Sequence, residues 1–117
     1  MAYEEIAEYS VAYIAGGATS SPTMPGPVPR ALIGLYRADH SAIGAAYFHR
    51  NPAAVPESDS LSASGHIKCN YSPEDFPRVL DLLRNEKPVY LVFMEDPWNV
   101  GYIATTAELI GEGEFAP

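Results

Sequence analysis

Apolar and polar residues alternate with a period of two along much of this chain, which is the pattern of β-strands that have one face in a core. Residues 37–41 are typical of a hairpin loop between two such strands. Residues 16–29 contain four prolines and three glycines, so we predict a surface loop there. The strands predicted by the alternation cover residues 8–15, 30–36, 42–49 and 62–70.

A helical period interrupts the strands once, over residues 75–85. Ser72 resembles a helix start, but Pro77 would then lie inside the helix, where its missing N–H costs about 3 kcal/mol. We therefore favour Asp75 as the N-cap, because this leaves Pro77 in the first turn. We expect Asn85 to end the helix in a left-handed conformation. The side chains that we expect this helix to bury are Phe76, Val79, Leu80 and Leu83.

The apolar run at residues 89–93 is typical of a strand buried on both faces, and residues 95–99 form a turn into a returning strand over 100–106. Residues 107–110 either extend that strand or form a short last one. The predicted fold class is α+β: one antiparallel β-sheet of about five or six strands in meander order, with the helix before the final hairpin. The glycines permit this sheet to curl into an open barrel. We expect residues 1–117 to form a single globular domain.

The chain has 15 acidic and 7 basic residues, which gives a net charge of −8, and the acids are scattered. This balance argues against direct binding of nucleic acid, which requires a basic surface for the phosphates. An acidic surface that gives solubility is the favoured explanation, and mimicry of a polyanion is the alternative. The acidic N-terminus and the lack of an apolar run of about 18 residues predict a cytoplasmic protein that does not cross a membrane.

The candidates for metal ligation are His40, His49, His66 and Cys69, and their spacing matches no zinc motif. The chain also lacks the Gly-x-Ser-x-Gly motif of a serine nucleophile. We therefore predict no metal, no cofactor and no catalytic residue. The single cysteine cannot form an internal disulfide, which favours a reducing compartment.

Three functional hypotheses follow from these patterns. The leading one is a non-enzymatic interaction or accessory protein that self-associates through its sheet surface. The second is a small-ligand-binding protein with a pocket between helix and sheet, lined by Tyr36, Tyr47, His49 and Phe76. The third is a small hydrolase or isomerase that pairs His49 with a carboxylate.

The aromatic content favours the first hypothesis, since eight Tyr, four Phe and one Trp exceed what a sheet covered by one helix needs inside. The outer face of the hairpin formed by residues 30–36 and 42–49 lacks polar alternation, so we expect it to be covered. Loop 16–29 folding over this face is one alternative. The other, which we favour, is a homodimer, with a protein partner as a further candidate. The residues that we predict for this interface are Leu32, Tyr36, Phe48 and Trp98.

Overall fold

The computed structural model describes residues 2–15 and 28–105, which fold into two β-sheets and one α-helix. This mixture of strands with one helix confirms the α+β fold class. The strands and the helix are β1 (Ala2–Glu5), β2 (Glu8–Tyr13), β3 (Ala31–Tyr36), β4 (Ala42–Phe48), β5 (Ser60–Leu61), β6 (Ile67–Tyr71), α1 (Phe76–Asn85), β7 (Val89–Met94) and β8 (Val100–Thr105).

The larger sheet has five strands in the order β2-β3-β4-β6-β5. Strand β3 pairs antiparallel with β2 and with β4, but β4 and β6 run parallel. The prediction of a single antiparallel meander was therefore wrong. The segment 49–66 is long enough to carry the chain back to the end where β4 began, so β6 enters beside β4 in the same direction.

The smaller sheet has three antiparallel strands in the order β1-β7-β8. Strand β1 was not predicted, because it is only four residues long and ends in Glu4 and Glu5. Strand β1 pairs with one edge of β7, and β8 pairs with the other. Strand β7, which was predicted from its apolar run, is therefore the central strand of this sheet. The described strands form two separate sheets and no closed barrel.

The core lies between the inner faces of the two sheets, and α1 packs against part of the larger sheet through Val79, Phe76, Leu80 and Leu83. The sheets approach each other closely where Gly101 of β8 meets β6: a Cβ atom built on Gly101 would lie 2.5 Å from Sγ of Cys69. A side chain at position 101 therefore has no room, and glycine permits this close approach. The buried residues at the centre of the core are Ala31, Ile33, Leu35, Ile43, Ala46, Phe48, Ile67, Cys69, Val79, Leu91 and Phe93.

The position of the helix start agrees with the prediction, and its end does not. Asp75 occupies the N-cap position of α1 after a short 3₁₀ turn, Pro73–Asp75, and Pro77 lies in the first helical turn. The Asp75 side chain makes no capping hydrogen bond, however, and its backbone is already helical, with φ −82°. Asn85 is the last helical residue, and the backbone becomes extended at Glu86, with φ −110°. The predicted left-handed stop at Asn85 was therefore wrong. No helix within residues 2–15 and 28–105 is long and apolar enough to cross a membrane.

The predicted strand over residues 62–70 begins later than expected. Residues 62–66 form a turn in which the Gly65 N–H donates to the Ser62 carbonyl at 2.9 Å, and β6 begins at Ile67. Most of the predicted loop 16–29 and all of the predicted extension 107–110 lie outside the described residues. At the end of that loop Val28 and Pro29 are buried rather than at the surface.

We expect Gly101→Ala to lower the free energy of unfolding by about 1–3 kcal/mol, because the new methyl group overlaps the Cys69 thiol. Cys69→Ala removes that thiol. The loss of stability in the double variant, with both Gly101→Ala and Cys69→Ala, should therefore be smaller than the sum of the losses in the two single variants. Gly44→Ala is the matched control, since its methyl group would overlap the backbone of Ile67, which Cys69→Ala cannot relieve. Urea denaturation measures each loss; additive losses at positions 101 and 69 would contradict the assigned contact.

Candidate functional site

The four residues predicted to line one pocket do not come together. Tyr36 and Tyr47 lie on the outer face of the larger sheet, since they share the face of Leu32. Phe76 lies on the opposite side, where its ring meets that of Phe48 edge-to-face at 5.2 Å. The sheet itself therefore separates the two tyrosines from Phe76.

The outer-face tyrosines make contacts of their own. The hydroxyl groups of Tyr36 and Ser10 are 3.0 Å apart and hydrogen-bonded, which ties β3 to β2. The Tyr47 ring lies under the ammonium group of Lys68, with 4.3 Å between Nζ and the ring centroid, which is a cation–π contact between β4 and β6. Both rings are half-buried, and the Tyr36 ring lies over Gly34 of the same strand.

His49 belongs to a polar network at the end of β4. It is only 8% exposed, and its Nε2–H donates to Oδ1 of Asn70 at 2.9 Å. The amide group of Asn70 in turn donates to Oδ1 of Asp59 at 3.1 Å and to the Ser58 carbonyl at 3.3 Å. The network therefore fixes the 49–59 segment against β6.

Asp59 connects the two sheets through its carboxylate. Oδ1 accepts the backbone N–H of Asn70 in β6 at 2.7 Å, and Oδ2 accepts the backbone N–H of Gly101 in β8 at 2.8 Å. The Asp59 N–H completes the connection by donating to the Asn99 carbonyl at 2.8 Å. Hydrogen bonds from N–H groups to an ionised carboxylate are stronger than neutral ones, so this side chain holds β6 and β8 at a fixed separation.

The chemistry available to this network is limited by its geometry. Asn70 stands between His49 and Asp59, so the imidazole has no direct hydrogen bond to that carboxylate. Cys69 points into the core and is fully buried, and burial together with the nearby charge of Asp59 raises the pKa of its thiol to about 12. Burial also raises the pKa of the neighbouring Tyr71 hydroxyl. Within the described ranges, no cluster of three or more His, Cys, Asp or Glu residues is arranged to hold a metal ion.

A groove of about 290 Å³ lies between the end of α1 and the β1–β2 connection. Its lining combines apolar side chains with three acids and one base, Lys87. None of the four residues predicted for a ligand pocket lines it. Its lining residues include Ile6, Leu83, Val89, Glu5, Glu8 and Glu86.

The outer face of the smaller sheet carries a group of aromatic and apolar residues that we call the tyrosine face: Tyr3, Tyr90, Val92, Val100 and Tyr102. Glu5 and Met94 lie on the same side of the sheet, where Glu5 pairs with Tyr90 and Met94 with Val100. Tyr3 and Tyr102 flank Val92 across the three strands, and Tyr3 stacks on Tyr90 with ring centroids 4.7 Å apart. Val92 is only 2% exposed, whereas Tyr3 is 56% exposed. Apolar and aromatic side chains therefore occupy most of this outer surface, with the exposed Glu5 beside Tyr90.

The second apolar surface follows the edge strand β2, and we call it the β2 stripe: Tyr9, Val11 and Tyr13. These residues pair with Leu35, Ile33 and Ala31 of β3, so they share the face that forms the core. They nevertheless remain exposed, with Val11 at 45% and Tyr13 at 65%. Tyr13 makes one edge-to-face contact with Phe76 of α1, at 5.5 Å between ring centroids.

The structure places the four predicted interface residues in different environments. Phe48 is fully buried in the core, stacked on Tyr71 at 5.3 Å, and was wrongly assigned to the face of Leu32 and Tyr36. Leu32 and Tyr36 do share the outer face of the larger sheet and are half-buried. Trp98 lies in the β7–β8 turn and is 65% exposed.

Comparison with known proteins gives no match: no family model, no curated protein and no solved structure is significantly similar to this chain.

We expect Asp59→Asn to lower the free energy of unfolding by about 1–3 kcal/mol, since an amide cannot accept the hydrogen bonds to both sheets. Glu57→Gln removes the same formal charge from an exposed neighbour and should change stability by less than about 0.5 kcal/mol. Thermal or urea unfolding compares the two variants. Equal losses would show that charge, and not the hydrogen bonds of Asp59, is responsible.

Cys69 should not react with Ellman's reagent in the folded protein at pH 8. With a thiol pKa of about 12, roughly one molecule in ten thousand carries the thiolate at that pH. Unfolding in denaturant should release one reactive equivalent. Ser64→Cys adds an exposed thiol as a positive control, and a Cys69 that reacts as fast as that control would contradict the assigned burial.

Proposed function

We propose that this protein is a non-enzymatic interaction module that associates with itself through exposed apolar sheet surface. The observation that carries the proposal is the position of the exposed large apolar side chains. Six of them lie on strands, where they belong to the tyrosine face or to the β2 stripe: Tyr3, Tyr9, Val11, Tyr13, Val100 and Tyr102.

The physical argument is that sheet faces in water normally carry polar residues at alternate positions. Tyr and Trp are enriched in the cores of protein interfaces, because a flat apolar ring and a polar tip both find contacts there. The three residues of the β2 stripe are all apolar or aromatic, and so are those of the tyrosine face, beside which one carboxylate, Glu5, lies on the same side of the sheet. Trp98 adds a further exposed ring. Contiguous surfaces of this kind mark interaction sites more often than single exposed apolar residues do.

The polar network supports an interaction role over catalysis. His49, Asn70 and Asp59 use their hydrogen-bonding groups on one another and on the backbone of both sheets. A general base must reach a substrate proton, and His49 is nearly closed to solvent. These residues act as a connection between structural elements.

The outer face of the larger sheet remains a predicted contact surface through Leu32 and Tyr36, without Phe48. The hydroxyl of Tyr36 is already bonded to Ser10, which makes this face less available than the other two. We place the module in the cytoplasm, because its cysteine is a free thiol. A second protein is a further candidate partner for the tyrosine face.

Analytical ultracentrifugation at micromolar concentration tests the proposal. We expect a species of twice the 12.7 kDa chain mass that dissociates on dilution. Urea just below the unfolding transition serves as a control, since it weakens apolar contacts between copies. A protein that stays monomeric on concentration would overturn the proposal.

A further inference from the structure

The four outer edges of the two sheets differ in how well they are protected against pairing with another strand. Native sheets protect edges with short strands, charges, prolines or covering groups. Strand β5 has only two residues, β1 carries Glu4 and Glu5, and the Gly101 N–H on β8 is bonded to Asp59. Within the part of the chain that the structure describes, strand β2 has none of these devices along its six residues beyond a single charge at its start, Glu8.

The direction of the backbone groups of β2 follows from one hydrogen bond. The N–H of Ile14 donates to the Arg30 carbonyl at 2.8 Å, just beyond the β2–β3 ladder. In an antiparallel pair these bonds occur at every second residue, so the even-numbered residues of β2 bond to β3. The N–H and C=O groups of Tyr9, Val11 and Tyr13 therefore point away from β3, and no other described strand pairs with them.

The same three residues carry the exposed side chains of the β2 stripe. One short strand thus presents a row of backbone donors and acceptors beside a row of apolar side chains. A partner that satisfies both rows must itself be an extended strand with apolar residues at alternate positions. A second β2 strand has that composition.

We infer that two copies of this chain pair antiparallel through β2, about a two-fold axis at Val11, and so join their larger sheets into one. This inference rests on the proposed self-association and names the surface that causes it. With Val11 opposite Val11 of the second copy, each Tyr9 lies opposite a Tyr13. All three outward-pointing residues then form hydrogen-bonded pairs, which gives about six inter-strand hydrogen bonds.

The alternative register, with Ser10 on the axis, is less favourable. It places Tyr9 opposite Val11 and leaves Tyr13 opposite Ala7, whose N–H already donates to the Tyr36 carbonyl. Both tyrosine pairs are lost in that register. The order of side chains along β2 therefore selects Val11 as the centre.

The charges of β2 agree with an antiparallel pair. Glu8, at the start of the strand, is its one charged residue, and its carboxylate is 2.5 Å from Nδ1 of His40. Antiparallel pairing at Val11 separates the two Glu8 residues by about 20 Å along the strands, beyond the screening length of about 8 Å in physiological salt. Because each copy has a net charge of −8, added salt should tighten the dimer, whereas it would weaken binding of a basic partner.

Disulfide trapping tests the interface and its register in a Cys69→Ala background. Val11→Cys should form a dimer disulfide on mild oxidation, since residues facing each other in a hydrogen-bonded pair have Cα atoms about 5.5 Å apart. Ala12→Cys is the matched control: it lies opposite Ser10 of the second copy, so the two introduced thiols have Cα atoms about 8 Å apart, too far for a bridge. Trapping at position 12 and not at 11 would overturn the inference.

Two proline variants separate the interface from the fold. Val11→Pro removes an N–H that points away from β3, so the fold should survive while the dimer weakens by about tenfold or more. Ala12→Pro removes an N–H that bonds to β3 and should instead lower the thermal unfolding temperature. Tyr102→Ser, on the tyrosine face, should leave the dimer intact.

The outcomes distinguish the two proposals. A wild-type protein that is monomeric contradicts the proposed function as well as this inference. A wild-type dimer that persists in a folded Val11→Pro variant overturns only the inference. If that dimer is lost in Tyr102→Ser, the copies meet through the tyrosine face instead.

Discussion

The carboxylate of Asp59 sets the relative position of the two sheets, and much of the remaining surface follows from it. By bonding to the backbone of Asn70 and of Gly101, it holds β8 close above β6. In the strand order β2-β3-β4-β6-β5, β6 lies on the far side of the larger sheet from β2. The smaller sheet therefore covers that far side, α1 covers the middle, and the core-side face of β2 is left exposed.

Local patterns were enough to predict most of the elements, because each depends on residues close in sequence. The alternation in β3 and the N-cap at Asp75 are examples. The parallel pairing of β4 with β6 could not be read in the same way, since side-chain alternation is identical in parallel and antiparallel strands. Strand β1 was missed for a related reason: it is stabilised by pairing with β7, more than 80 residues away, and not by its own sequence.

The candidate site was harder to predict, and Phe48 shows why. Within β4, Phe48 and Tyr47 point to opposite faces of the sheet, and the prediction placed Phe48 on the face of Leu32. The error lay in which of those two faces accompanies Leu32 of β3. The register pairs Leu32 with Tyr47 and Ala31 with Phe48, so a slip of one residue in the assumed pairing moves every side chain to the other face. Asp59 was missed altogether, since a single acid in an irregular segment carries no signal of the N–H groups it accepts.

Acidic composition and an unprotected edge strand have opposite effects on association. A net charge of −8 repels a second copy at long range, but salt screens this repulsion over about 8 Å. At contact distance, backbone hydrogen bonds and apolar side chains determine whether two copies bind. The residues of the β2 stripe carry no charge. The charges on β1 and the Asp59 carboxylate, which accepts the Gly101 N–H of β8, offer some protection to the edges of the smaller sheet. The distribution of charge is therefore compatible with the proposed pairing through β2, since protecting the other edges is one way in which a sheet avoids indiscriminate aggregation.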